Sequence, residues 1–115
     1  MVIKRHNPGT RMSSAVVHGD TIYLAGQVAD DGKADTAGQT QQVLAKIDKL
    51  LAEVGSSKSK LLAATVFITD MRNFQAMNSV WDAWVEEGNT PTRATVEARL
   101  ARTELLVEIV VIAAA

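Results

Sequence analysis

The 115-residue sequence contains no cysteine. That excludes a disulfide framework, a thiolate nucleophile and any cysteine-bound zinc, and it fits a reducing compartment. There is no run of lysine or arginine, and 12 basic against 13 acidic side chains leave a formal charge of -1. A dedicated surface for a phosphate backbone is therefore not expected, and nucleic acid is not the favoured partner. No stretch reaches the roughly 20 apolar residues that a membrane span needs. The Met1-Val2-Ile3-Lys4-Arg5-His6 start has no apolar segment behind its charges. No membrane partner is expected, and the cytoplasm is the expected location. Phosphate-loop chemistry is missing too, because Gly26-Gln27 is too short and no GxGxxG pattern exists. His6 and His18 have no third ligand at a recognisable spacing, so no metal site is expected. Ser13-Ser14 lacks a histidine with a supporting acid, which makes a strand more natural than a nucleophile.

What is present is a balanced apolar chain. With 47% apolar and 22% charged residues, positions 1-115 are expected to form one domain with a core large enough to fold unaided. Val2 to Lys4 and Ser14 to Val17 read as short strands, and His18-Gly19-Asp20 reads as a turn into Thr21-Ile22-Tyr23-Leu24-Ala25, which together suggest a hairpin. Thr36-Ala37-Gly38-Gln39 fits a capping box at a helix start. Val43, Ile47, Leu50, Leu51 and Val54 follow on one stripe, and Gly55 is a natural stop. Lys46, Asp48, Lys49 and Glu53 then make the solvated face of that helix, with Lys58-Ser59-Lys60 an exposed loop beyond it. Leu61 to Ile68 is an inner strand by composition. Phe74, Met77, Trp81 and Val85 mark a second helix after a polar turn at 69-73, and Gly88-Asn89-Thr90-Pro91 ends it. Trp84 is placed at an edge or a subunit contact.

Two helices can cover one face of a sheet of five to six strands. The last strand, however, puts Leu106, Val110 and Ile112 on one face and Val107, Ile109 and Val111 on the other. The second apolar face requires cover, and further copies of the chain are the natural source.

Candidate site residues come from charges set in apolar strands. Between Pro91 and Glu97 the chain reads Pro-Thr-Arg-Ala-Thr-Val-Glu, and from Leu105 to Ala115 Glu108 is the only charged residue. In an extended segment over 93-98, Arg93, Thr95 and Glu97 share a polar face, and Ala94, Val96 and Ala98 share a face belonging to the core. A planar guanidinium offers two parallel donors to a carboxylate, so Arg93 suits a small carboxylate ligand. An internal ion pair of Arg93 with Glu97 or Glu108 accounts for the same pattern equally well.

The segments Arg11 to Asp20, Tyr23-Leu24-Ala25-Gly26-Gln27, Val66-Phe67-Ile68-Thr69-Asp70, Phe74-Gln75-Ala76-Met77-Asn78 and Pro91 to Glu97 resemble, in order and spacing, the successive signatures of the RidA/YjgF family of reactive-intermediate deaminases. The resemblance spans nearly the whole chain. It implies an α+β chorismate-mutase-like fold, a homotrimer, and ligand pockets between subunits. It also implies that Arg93 grips a substrate carboxylate and that Glu108, on the last strand, positions or activates water. Asn78 and Gly26 match positions lining or shaping the cleft. Met12, Ala25 and Thr95 stand where the best-known members have tyrosine, serine and cysteine. No cofactor is implied.

Two functions follow as expectations. One is hydrolytic deamination of a carboxylate-bearing enamine or imine, of the 2-iminopropionate or aminomuconate type, releasing ammonia and a keto acid. The other is a noncatalytic trimer that binds small carboxylates. An RNA-cleaving role is sometimes attached to the family, and the acidic balance and absent basic stripe argue against it here.

Overall fold

The computed structural model describes residues 1-115 as a sheet with two helices against it. In chain order the elements are β1 (Ile3–His6), β2 (Ala15–His18), β3 (Thr21–Leu24), β4 (Gln27–Val28), α1 (Thr36–Glu53), β5 (Leu61–Ile68), α2 (Phe74–Trp84), β6 (Thr92–Glu97) and β7 (Val107–Ala114). The sheet is mixed and has seven strands, not five to six, in the order β1-β2-β3-β7-β5-β6 with β4 also on β7. Only β5 and β6 run parallel, as the intervening α2 requires. The additional strand is β4, too short to carry a pattern of its own. Ala25-Gly26 separate β3 from β4: Tyr23 faces Ile112 and Gln27 faces Ile109, so four steps along this segment answer three of β7. The surplus residue is accommodated as a bulge at Ala25-Gly26.

Local signals explain most boundaries. The β2–β3 hairpin turns through Gly19-Asp20, with His18 opposite Thr21 and Gly19 at φ 61°, a conformation that glycine adopts without steric cost. The cap of α1 differs from expectation. Asp35, not Thr36, is the capping residue, and its Oδ1 accepts from the Gly38 N–H at 2.8 Å. Thr36 lies inside the helix, and its carbonyl accepts from the Thr40 hydroxyl at 2.7 Å. Gln39 turns inward, fully buried, instead of reaching back to the helix start. The expected solvated face is also partly engaged. Lys46 donates to the Val28 carbonyl and to Asp30, Glu53 pairs with His6 at 3.1 Å, and Asp48 accepts from the Trp84 indole at 2.9 Å. Lys58 is tied as well, donating to the Trp84 carbonyl at 2.7 Å. Trp84 thus joins α2 to α1 within one chain.

The core lies between the helices and one face of the sheet. Val43, Leu44, Ile47, Leu50 and Leu51 of α1 and Met77 and Trp81 of α2 meet Val66 and Ile68 of β5 and Val107, Ile109, Val111 and Ala113 of β7. The alternate residues of β7, Glu108, Val110, Ile112 and Ala114, are only half-buried. Register puts Tyr23, Phe67 and Val96 on that second face with them. It carries no helix, and Tyr23 and Val96 are exposed there. Neither helix is long and apolar enough to cross a membrane.

Candidate functional site

Arg93 lies on β6, at the end of the sheet path. Ladder partners share a face, and Arg93 faces Ala64 while Thr95 faces Val66, both buried in the core. The polar positions of β6 therefore point toward the helix layer, and Ala94 and Val96 take the uncovered face. This reverses the expected assignment. The reason is α2, whose residues Phe74, Met77 and Trp81 rise beneath the arginine. The guanidinium carbon is 5.2 Å from the Trp81 ring centroid and 5.9 Å from that of Phe74, and Nη1 is 4.0 Å from the Met77 sulfur.

No acid neutralises Arg93. The ion pairs of the chain are His6–Glu53, Lys46–Asp30, Arg72–Asp70 and Arg102–Glu104. Glu97 is engaged elsewhere, accepting the Met71 N–H at 2.8 Å, which is a structural role. Two further polar atoms are left over: Asn78 Oδ1 on α2 and Thr95 Oγ1 on β6 are buried without a hydrogen-bond partner. An orphaned buried polar atom costs about 1–3 kcal/mol, so such atoms mark places where a partner is wanted.

Glu108 sits on the other side. It faces Phe67 of β5 and Val28 of β4, and Phe67 faces Val96, which places its carboxylate on the uncovered face. There it lines a cleft of about 760 Å³ together with Met12, Ala25 and Gly26. Gly26 permits a close approach of the Glu108 carboxylate to the backbone. A Cβ built on it would fall on the Glu108 carboxylate, with Cδ at 3.0 Å. Glu108 has no ion-pair partner either.

The expected site residues thus separate into two groups. Met12, Ala25, Gly26 and Glu108 share one cleft, while Arg93 and Thr95 occupy the opposite, helix-side face, with Asn78 on α2. Within one copy the sheet stands between Arg93 and Glu108, so neither an internal ion pair nor a joint site forms there. Among the cleft residues not anticipated as site residues, three carry polar side chains: Ser13, Tyr23 and Arg102. Tyr23 had a signal, since alternation in the hairpin sends it outward from Ile22 and Leu24. Arg102 had none. Its loop is held by Gln39, whose side chain donates to the Glu104 carbonyl and accepts from the Leu106 N–H, both at 2.9 Å. Nothing local announces a contact between residues so far apart in sequence.

Comparison with known proteins agrees with this architecture. The family model described as endoribonuclease L-PSP matches residues 2–115. A RutC family protein of Haemophilus influenzae is 46% identical over 98% of both chains. The RutC family protein YoaB of Escherichia coli K12 is 44% identical over 99% of both. A solved structure from Neisseria meningitidis, described as a member of the YjgF protein family, superposes with a TM-score of 0.96 at 47% identity, covering 99% of this chain and 95% of that one. The order of strands, the placement of both helices and the match along the whole sequence have one explanation: this chain belongs to the RidA/YjgF family, in which the RutC proteins are its relatives.

Proposed function

We propose that the protein hydrolyses enamine or imine intermediates that carry a carboxylate, at sites formed between copies of a homotrimer, each taking Arg93 from one copy and Glu108 from another. One observation carries this reading. Arg93 and Glu108 are both without an ion-pair partner and lie on opposite faces of a sheet whose second face is apolar and uncovered. A second copy laid on that face would cover the apolar surface, and β6, at the end of the sheet path, is the strand that would carry its arginine to the border of the neighbouring cleft in such an assembly.

The chemistry asks for orientation and one proton carrier. The two parallel N–H donors of Arg93 hold the substrate carboxylate and fix the electrophilic carbon. Glu108 accepts a proton from water as the water oxygen bonds to the imine carbon and the C=N pair moves to nitrogen, giving a carbinolamine. The carboxylic acid so formed passes its proton to that nitrogen. Glu108 then takes the hydroxyl proton and hands it to the nitrogen as the C–N bond breaks and the C=O forms, so ammonia and a keto acid leave and the carboxylate is regenerated. Asn78 Oδ1 and Thr95 Oγ1 are free to bond to the substrate or to water around it.

A second reading has its own support. Met12 and Ala25 line the Glu108 cleft and bring no hydroxyl group to it. A trimer that binds small keto acids without turning over an imine fits that lining, since binding needs Arg93 and no proton carrier. Measuring ammonia and keto-acid release from 2-iminopropionate generated in situ separates the two. The first reading expects release by the native protein and loss in both Arg93→Ala and Glu108→Gln, with keto-acid binding kept by Glu108→Gln. Turnover retained by purified Arg93→Ala contradicts the assignment, and keto-acid binding without any release favours the second reading.

A further inference from the structure

The apolar stripe of α2 does more than fill the core. Phe74, Met77 and Trp81 follow one another at helical spacing, and all three touch Arg93. A carboxylate partner would fix an arginine just as well, but it would occupy the in-plane N–H groups and cancel the charge. Aromatic rings attract the cation through their quadrupole without neutralising its charge. Arg93 is half-buried, with its guanidinium carbon over the Trp81 and Phe74 rings, one Nη1 N–H directed at the Met77 sulfur and no acid on its remaining donors, which is the condition a carboxylate clamp needs before its ligand arrives.

The seat is itself anchored. Trp81 is 6% exposed and packs against Trp84 at 5.5 Å between ring centroids. The Trp84 indole donates to Asp48 of α1 at 2.9 Å, and its backbone carbonyl accepts from Lys58 at 2.7 Å. The ring beneath Arg93 is therefore backed by a residue fixed to the other helix. A core stripe by spacing has become a support for charge.

We propose that Trp81 and Phe74 are positioning residues for Arg93, holding its guanidinium over their rings so that its remaining N–H groups are preset for a small carboxylate. This rests on the assignment of Arg93 as the carboxylate clamp. Pyruvate binding by calorimetry, with thermal unfolding recorded beside it, tests it in the native protein and in Trp81→Phe, Trp81→Leu, Phe74→Tyr, Phe74→Leu and Arg93→Ala. Trp81→Leu and Phe74→Leu are expected to weaken binding about tenfold, the scale of a desolvated cation–π contact, while variants that keep a ring stay within about threefold of native. Rescue by a ring and not by an aliphatic side chain is the signature that simple core filling does not produce. Phe74, half-buried, guards against the chance that Trp81→Leu fails to fold. Leucine variants that fold and bind pyruvate as the native protein does overturn the inference while Arg93→Ala still loses binding. Absence of native binding, or binding indifferent to Arg93→Ala, overturns the clamp assignment and this inference with it.

Discussion

The backbone of Gly26 lies against the carboxylate of Glu108, close enough that no side chain fits between them. The contact arises where β3 gives way to β4 and one extra residue bulges beside β7. Gly26 does not have a positive φ, so alanine is compatible with its backbone, and the carboxylate end of Glu108 can swing aside. Gly26→Ala is therefore expected to change stability by less than about 1 kcal/mol. The displaced carboxylate is expected to lower turnover on the order of ten- to a hundredfold. Steady-state kinetics beside urea unfolding checks this, and full activity in Gly26→Ala would remove Glu108 from the mechanism.

Arg93 and Glu108 on opposite faces lead to a complementation experiment. Arg93→Ala and Glu108→Gln homo-oligomers are each expected to be inactive. Oligomers co-assembled from equal amounts of both restore sites wherever an intact arginine meets an intact glutamate from another copy, about a quarter of sites in a closed symmetric trimer. If one copy supplied both residues, mixing would restore nothing.

The proposed assembly is expected to depend on the uncovered face. Val96 is 44% exposed there, so Val96→Glu is expected to cost the isolated protomer little and to abolish association by placing a charge in an apolar contact. Light scattering coupled to size-exclusion chromatography reads the result. An unchanged oligomer would show that another surface makes the assembly.

Gln39 is a predicted weak point for stability. Its amide nitrogen donates to the carbonyls of Gly32, Ala34 and Glu104, and its oxygen accepts from Leu106. Gln39→Leu leaves these groups unpaired and is expected to destabilise by about 3 kcal/mol. Chemical unfolding at one fixed protein concentration measures it, since oligomerisation makes stability concentration-dependent. The loop carrying Arg102 is expected to become protease-sensitive in the same variant.

Asp70 gives an acid-dependent term with a definite sign. Its side chain accepts from Arg72, and that arginine holds the carboxyl below its ordinary value. A depressed folded-state pKa contributes stability above the unfolded value, near pH 4, and loses it as pH falls through the folded value. The native protein is thus expected to lose stability more steeply than Asp70→Asn below about pH 4, with the difference shrinking in high salt because the pair is exposed. Identical acid limbs for the two proteins would show that the pair contributes nothing.

Helix stripes, the Gly19-Asp20 turn and the two-faced β7 were legible because each is a local pattern with a fixed period. The α1 cap was misplaced by one residue because Asp35 and Thr36 are both good caps, and only the inward turn of Gln39 toward Leu106 chose between them. β4 was missed because two residues carry no period. On β6 the alternation was correct and its facing was wrong. Sequence shows that Arg93 and Thr95 share a side, but which side meets α2 follows from pairing with Ala64 and Val66 of β5.

Residue chemistry and period were thus enough for the element types, an apolar sheet face needing cover, and Arg93 and Glu108 as charges without evident reason in apolar strands. Long-range register settled the rest. Period 2 sorts residues into faces without naming them, and the pairing of β7 with both β4 and β5 put Glu108 against Gly26 and away from Arg93. That separation is why the site is built from two copies in the mechanism proposed here, and no property of either residue alone could have announced it.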